Sequence, residues 1–188
     1  DGVRAGHEVS EDEIVTLFSA RGPEVASVAA VADELRRQAV GDVVTFVHNR
    51  NINYTNVCTF KCRFCGFSKG PLSLNLRGSP YLLTLDEIAD RVREAADLGA
   101  TEVCLQGGIH PRYTGDTYLG IVAAVKAAVP EMHVHAFSPL EVWQGAATLD
   151  LSLEDYLSRL RDLGLGSLPG TAAEILDAGP PSLRTSVP

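Results

Sequence analysis

Three of the four cysteines, Cys58, Cys62 and Cys65, are spaced C-x3-C-x2-C, and the fourth, Cys104, lies well downstream. Thiolates this close can converge on one metal centre. A structural zinc site is closed by four protein ligands, usually as two pairs, yet the chain has no second C-x2-C and no H-x3-5-H run. A 4Fe–4S cluster is commonly held by four cysteines, so a local set of three leaves one iron open to an outside ligand. Three alternatives stay open: zinc completed by Cys104, His110 or another distant residue, a disulfide framework, and three unrelated thiols. The low cysteine count for the length weighs against disulfides.

Other residues with chemical potential fall at the ends of strand-like runs. Thr101–Gln106 is a short apolar run followed by Gln106-Gly107-Gly108-Ile109-His110. Two adjacent glycines expose backbone and allow a ligand to approach closely. His110, before Pro111, either hydrogen-bonds a substrate or fixes the turn. Met132–Phe137 is expected as another strand, with His133 and His135 on the face opposite Val134. Imidazoles titrate near neutrality, so these two are candidates for substrate hydrogen bonding or proton transfer, or else satisfied barrel residues. Cys104, inside its run, reads as a small core residue.

The elements that must position these residues alternate between strand and helix. Ser10-x-x-Glu13 is a capping box ahead of Ile14, Val15, Leu17 and Phe18. Across 23–39, Val25, Val28, Ala32, Leu35 and Ala39 recur at helical spacing, and Gly41-Asp42 ends that helix. The two helices are expected to cap a barrel floor. Val43–Val47 is a β-prone run, and Asn51–Val57 is expected as the first barrel strand, delivering Cys58 at its C-terminal end. Alternation puts Asn51, Asn53 and Thr55 on one face and Ile52, Tyr54 and Asn56 on the other; which face lines the interior is undecided from the residues. Residues 68–80 read as loop.

Further on, Thr84-x-x-Glu87 caps a helix with Leu85, Ile88, Val92 and Ala95/Ala96 inward, ending at Gly99. Residues 116–129 form a helix that Pro130 ends. Ser138-Pro139-x-Glu141 opens one running toward Gln144. Ser152-x-x-Asp155 opens another with Leu153, Tyr156, Leu157, Leu160 and Leu163 on its core face, and 164–170 are a short fourth strand and turn. The pattern is α/β: a partial parallel (β/α) barrel of about four βα units behind an N-terminal helical cap. The expected divisions are 1–42, the cap; 43–177, the N-terminal part of a barrel; and 178–188, an irregular tail.

At 188 residues, 45% hydrophobic and 21% charged, the chain is long enough for one domain with a core. A net charge of -8 argues against a nucleic-acid partner, which would need Lys/Arg patches. No apolar run approaches the ~20 residues of a membrane span and no signal pattern is present. Clustered cysteines suit a reducing cytoplasm. The first residue is Asp, and the tail after Asp177 lacks periodicity. A piece of a longer protein, truncated or frameshifted near Asp177, is therefore expected.

Cys58-x3-Cys62-x2-Cys65, with Phe64 just before the last cysteine, resembles the signature of the radical S-adenosylmethionine (AdoMet) family. The flanks Asn49–Cys58, Cys65–Ser68, Cys104–Pro111 and Ala136–Val142 are similar to one subgroup, the FO synthase and futalosine-pathway menaquinone enzymes. The run from Thr84 to Gly170 is most similar to the tyrosine-using half of FO synthase, and the resemblance covers roughly residues 7–177.

This resemblance implies a radical AdoMet barrel carrying a 4Fe–4S cluster on Cys58, Cys62 and Cys65. It also implies AdoMet on the open iron, with Gln106, Gly107 and Gly108 beside its methionine end and Phe64 near its adenine. His110 and His135 are the candidate catalytic residues. The implied reaction is cleavage of AdoMet to a 5′-deoxyadenosyl radical that activates L-tyrosine, whose 4-hydroxybenzyl group joins 5-amino-6-(D-ribitylamino)uracil in the synthesis of FO, the coenzyme F-420 precursor. Implied partners are a second radical AdoMet domain or subunit and an electron donor. A futalosine-pathway enzyme and an inactive iron–sulfur-binding fragment are the alternatives.

Overall fold

The strand-like runs pair in parallel and in chain order. The computed structural model describes residues 2–60, 65–70 and 78–170. In it β1 (Asn49–Asn53), β2 (Glu102–Gln106), β3 (His133–Ala136) and β4 (Leu165–Ser167) form one sheet of order β1-β2-β3-β4, every neighbouring pair parallel. The helices are α1 (Glu11–Phe18), α2 (Pro23–Val40), α3 (Leu85–Asp97), α4 (Gly115–Ala128), α5 (Pro139–Thr148) and α6 (Leu153–Asp162). Parallel neighbours need a crossover, and α3, α4 and the α5–α6 pair supply one each. This is the expected α/β architecture of four strands in successive βα units. Among the described residues, no helix is long and apolar enough to cross a membrane.

The chain divides into two compact units, Asp1–Phe46 and Val47–Pro188. In the first, Ser10 caps α1 with both halves of its capping box formed, and Pro23 occupies the first turn of α2, where its missing N–H costs nothing. Asp33 pairs with Arg36 and Arg37 one turn away. No residue of α1 or α2 is buried. The β-prone run Val43–Val47 forms no strand: Val44 and Phe46 are each 88% exposed. Among the described residues no strand pairs with it, and β-propensity is realised only against a partner.

In the second unit, alternation along each strand separates two faces. Ile52, Val103, Leu105, Val134 and Ala136 are buried beneath Ile88, Val92, Ile121, Val122, Val125, Tyr156 and Leu160 of the helices. The opposite face carries a polar row in register, Asn51↔Cys104↔His135↔Ser167, with Asn53↔Gln106 beside it. The question left open for the first strand is thereby answered: Ile52 and Tyr54 face the core, and Asn51 and Asn53 face away from it.

That strand is Asn49–Asn53 rather than the expected Asn51–Val57. Past Tyr54, whose N–H still reaches the Gln106 carbonyl, the chain leaves the ladder. Thr55 and Val57 instead form isolated bridges with Leu82 and Lys69.

The caps foreseen for α3, α5 and α6 at Thr84, Ser138 and Ser152 are all formed. Two helix faces depart from expectation. Leu85 of α3 is exposed, and the buried side of that helix is Ile88, Ala89, Val92 and Ala95. In α6, Tyr156 and Leu160 are buried, but Leu153 and the C-cap residue Leu163 are 48% and 39% exposed. Helical periodicity names a stripe, but burial needs a neighbour to cover it. Among the described residues no strand pairs with the outer edge of β4, beside which α6 lies. The helix α5 also runs on to Thr148, past Gln144.

Glu141, foreseen only as the third residue of a capped helix, is 1% exposed and joins three strand ends. One carboxylate oxygen accepts from the Ser138 N–H and Oγ, both at 2.6 Å, beyond β3. The other accepts from the Gly107 N–H at 3.0 Å, beyond β2, and from the Tyr54 hydroxyl, beyond β1. Four donors satisfy a buried carboxylate, yet burial still raises its pKa above the ordinary value of 4.5, the hydrogen bonds from Ser138, Tyr54 and Gly107 opposing that rise.

Two outcomes follow. Leu160→Ala costs about 2–5 kcal/mol in urea denaturation, whereas Leu153→Ala, on the same helix, changes stability by about 0.5 kcal/mol or less. For Glu141 the folded state keeps its proton to higher pH than the unfolded chain. Its contribution to stability therefore falls as pH rises from 4.5 toward the raised folded value. The stability difference between wild type and Glu141→Gln, followed by urea midpoints across pH, declines through that window and is flat above it; a difference independent of pH contradicts this account.

Candidate active site

The loop after β1 is sewn to the loop after β2. Cys58 N–H donates to the Lys69 carbonyl at 3.0 Å, and Lys69 N–H donates to the Asn56 carbonyl at 2.7 Å. Thr59 donates through its N–H and its hydroxyl to the Ile109 carbonyl, at 2.9 and 3.2 Å. In return the Cys58 Sγ accepts the N–H groups of Ile109 at 3.3 Å and Phe60 at 3.4 Å. Two backbone donors aimed at one sulfur suit a thiolate, and hydrogen bonds to ligating sulfurs are one of the protein's means of tuning an iron–sulfur centre. The donor set therefore fits a cluster on this loop.

Cys65 is half-buried at the far end of the loop, while Cys62 and Phe64 lie outside the described residues. Cys58, Cys65 and Cys104 are free thiols. Among the described residues no group of three or more metal-ligand side chains is gathered, so no zinc set built from Cys104 or His110 is present there. Cys104 is not the core residue expected of it. It is half-buried on the polar face of the sheet, between Asn51 and His135, and burial followed by the charges of Glu102 and Glu141 raises its pKa.

Gly107 and Gly108 have a packing reason each. A Cβ on Gly107 would overlap the Tyr54 ring, and one on Gly108 would overlap the Val57 carbonyl and come within 2.9 Å of the Cys58 Cβ. The Gly107 N–H is committed to Glu141 and the Gly108 N–H to the Thr55 carbonyl, 3.0 Å away. Close approach is real here, but the partner is the chain itself. Among the described residues no donor reaches the carbonyl oxygens of the two glycines, which leaves acceptors, not donors, for a ligand. Gln106 ends β2 half-buried, opposite Asn53.

His110 is buried, and its Nδ1 accepts the Arg112 N–H at 3.2 Å, so the ring helps fix the turn. It packs on Tyr113 with centroids 4.9 Å apart. Burial and then the Arg112 charge hold its pKa below the ordinary histidine value, which favours the neutral ring. His133 and His135 stand on the polar face, as alternation requires. His135 Nδ1 and His133 Nε2 reach the same Ser167 hydroxyl, at 2.7 and 2.9 Å, and His133 is also 3.7 Å from the Glu102 carboxylate.

Beneath the strand ends, Tyr54, Tyr113, Tyr118 and Phe137 form an aromatic group with centroids 5.2–6.5 Å apart, its contacts edge-to-face apart from the tilted Tyr54–Tyr113 pair. Burial pushes the Tyr113 hydroxyl up to about 12. It raises Tyr118 further, with Glu141, Tyr156, Tyr113 and Cys58 adding to the rise. Glu141, Ser167, Tyr54 and Lys69 were not singled out by sequence as site residues. Glu141 carried a signal, its place three residues after Ser138; the others are identified only by pairing between strands.

A family model described as "Radical SAM superfamily" matches residues 52–176. The chain is similar to the FO synthase of Mycobacterium tuberculosis, 51% identical over 93% of this chain and 20% of that protein, and to that of Streptomyces coelicolor, 48% identical over 90% and 19%. It is 49% identical to the 5-amino-6-(D-ribitylamino)uracil--L-tyrosine 4-hydroxyphenyl transferase of Archaeoglobus fulgidus over 78% of this chain and 40% of that one. The chain thus spans about a fifth of the FO synthases and two-fifths of the transferase. Among solved structures, methylornithine synthase matches at a TM-score of 0.65 and 20% identity, covering 89% of this chain and 45% of that one. The FeFe-hydrogenase maturase HydG of Carboxydothermus hydrogenoformans matches at 0.66 and 20%, covering 89% and 35%. At that identity the two share the fold. With its cysteine loop, its parallel sheet and its family match in agreement, the chain belongs to the radical SAM superfamily.

Proposed function

We propose that this chain acts in the tyrosine-using step of FO synthesis, transferring the 4-hydroxybenzyl group of L-tyrosine to 5-amino-6-(D-ribitylamino)uracil. The observation that carries the reading is the Cys58 sulfur, held by two backbone N–H groups where the loops after β1 and β2 meet. The similarity to the transferase of Archaeoglobus fulgidus supports the substrate assignment. Cys58, Cys62 and Cys65 are the proposed ligands of a 4Fe–4S cluster. When bound, that cluster and AdoMet supply reductive cleavage of a sulfonium to a carbon radical.

The rest falls to the chain. The carbonyl oxygens of Gly107 and Gly108, with Gln106, are the proposed neighbours of the cofactor's ammonium group, and Phe64 is the proposed neighbour of its adenine. Asn51, Asn53, Cys104 and His135 give the open face of the sheet the hydrogen-bonding capacity that a hydroxylated, nitrogen-rich substrate demands. His135 is the better candidate for contact with a reacting group, because it stands half-buried on the polar face of the sheet whereas His110 is buried in its turn. Further proposed partners are a second radical SAM domain or subunit of FO synthase and an electron donor, in the cytoplasm.

A second reading, an iron–sulfur-binding chain without turnover, is favoured by one feature: among the described residues nothing pairs with the outer edge of β4, so the polar face is open on that side.

The protein is reconstituted anaerobically with iron and sulfide, then given dithionite and AdoMet, and 5′-deoxyadenosine is quantified with and without L-tyrosine. Tyrosine-dependent formation is expected. Tyrosine-independent formation keeps the superfamily chemistry and removes the substrate assignment, and a loaded cluster without turnover favours the second reading. Cys58→Ala loses iron and sulfide uptake. His135→Gln lowers tyrosine-dependent product formation by about 10²-fold or more while leaving iron content unchanged.

A further inference from the structure

Lys69 lies in the cysteine loop with a side chain only 2% exposed, and its Nζ has no hydrogen-bond partner. Its backbone is fixed on both sides, bonded to Asn56 and to Cys58 and bridged to Val57. A buried ammonium left unpaired is strongly unfavourable, so an anion bound near it is favoured. The chain itself does not provide it locally. From Asn49 through Leu85 the sequence contains no Asp or Glu, although it contains Arg50, Lys61, Arg63, Lys69 and Arg77. Of these, Arg50 reaches out of the stretch to Glu94 at 2.7 Å. A chain with a net charge of -8 thus carries no carboxylate within the sequence of its cysteine loop, and it buries there a lysine whose carbonyl accepts the Cys58 N–H.

We infer that Lys69 is a positioning residue whose ammonium is the counter-charge for an anion held on the loop of Cys58, Cys62 and Cys65. The inference rests on the iron–sulfur reading above. Three thiolates outweigh the charge of an oxidised 4Fe–4S core, and reduction adds a further negative charge, so the cluster with its thiolates is an anion on a loop whose other charged side chains are all cations. The carboxylate of the amino-acid group that completes the open iron is the other source of the same chemistry. In both cases Lys69 stabilises the loaded loop and destabilises the empty one.

The test compares wild type with Lys69→Met, which keeps the length of the side chain and removes the charge, and with Lys69→Arg, which keeps the charge. Melting midpoints are measured anaerobically before and after loading with iron and sulfide. The cluster's reduction potential is followed by electron paramagnetic resonance, and AdoMet affinity by titration of the reduced cluster.

Lys69→Met is expected to melt at or above wild type when empty, and to gain less on loading. Its reduction equilibrium shifts about tenfold toward the oxidised form, a fall of about 59 mV for one electron, with Lys69→Arg closer to wild type. If the carboxylate is the anion instead, the potential without AdoMet is unchanged and AdoMet affinity falls about tenfold. An empty Lys69→Met protein that is less stable than wild type, or a variant with unchanged loading gain, potential and affinity, overturns the inference. Wild type that takes up no iron and sulfide overturns the iron–sulfur reading and the inference with it.

Discussion

Parallel strands put their carboxyl ends on one side of a sheet, and those ends repel order: each finishes in a loop with unpaired backbone donors. Here the buried carboxylate of Glu141 gathers them. Tyr54 follows β1, Gly107 follows β2 and Ser138 follows β3; the first two donate to one oxygen of the carboxylate and Ser138 to the other. The arrangement costs the desolvation of a charge, visible in the raised pKa of the carboxyl, and fixes the relative positions of three loops in return. The glycine at 107 belongs to the same constraint, since only a residue without a Cβ lets the Tyr54 ring lie against the turn.

The cysteine loop depends on that platform. Cys58 sits between the Phe60 and Ile109 N–H groups, and Ile109 is two residues beyond the Gly107 that Glu141 holds. The contact between the loops is close enough that Gly108 has no room for a side chain beside Val57 and Cys58. The polar row Asn51, Cys104, His135 and Ser167 runs along the same sheet, on the face away from the helices. Anchoring of the loop and exposure of the row both follow from one sheet register.

Much of this was legible in the sequence where the determinants are local. Capping boxes at Ser10, Thr84 and Ser138 announce helices because the donor and acceptor are three residues apart. The superfamily is legible because its signature is confined to one loop. What the sequence did not convey depends on partners distant along the chain. The first strand stops at Asn53 because Leu82 and Lys69 compete for its continuation. Cys104 is apolar in character, yet the parity of the strand turns it to the polar face. Leu153 and Leu163 obey helical spacing but lack a covering neighbour. Glu141 was visible as a cap and invisible as a hub, since its other donors, Tyr54 and Gly107, are far from it in sequence.

The Ser167 hydroxyl, lying between two imidazoles, has one hydrogen to give. At most one of the two rings can accept it, so a neutral ring on the other side must present its own N–H to the oxygen. When the hydroxyl points at His135 Nδ1, the proton of neutral His135 rests on Nε2, which is then a donor. When the hydroxyl points at His133, His135 carries its proton on Nδ1 and its Nε2 is a lone pair. Rotation of a single hydroxyl, coupled to a change of tautomer, therefore exchanges a hydrogen-bond donor for an acceptor at His135 Nε2 while every heavy atom stays in place.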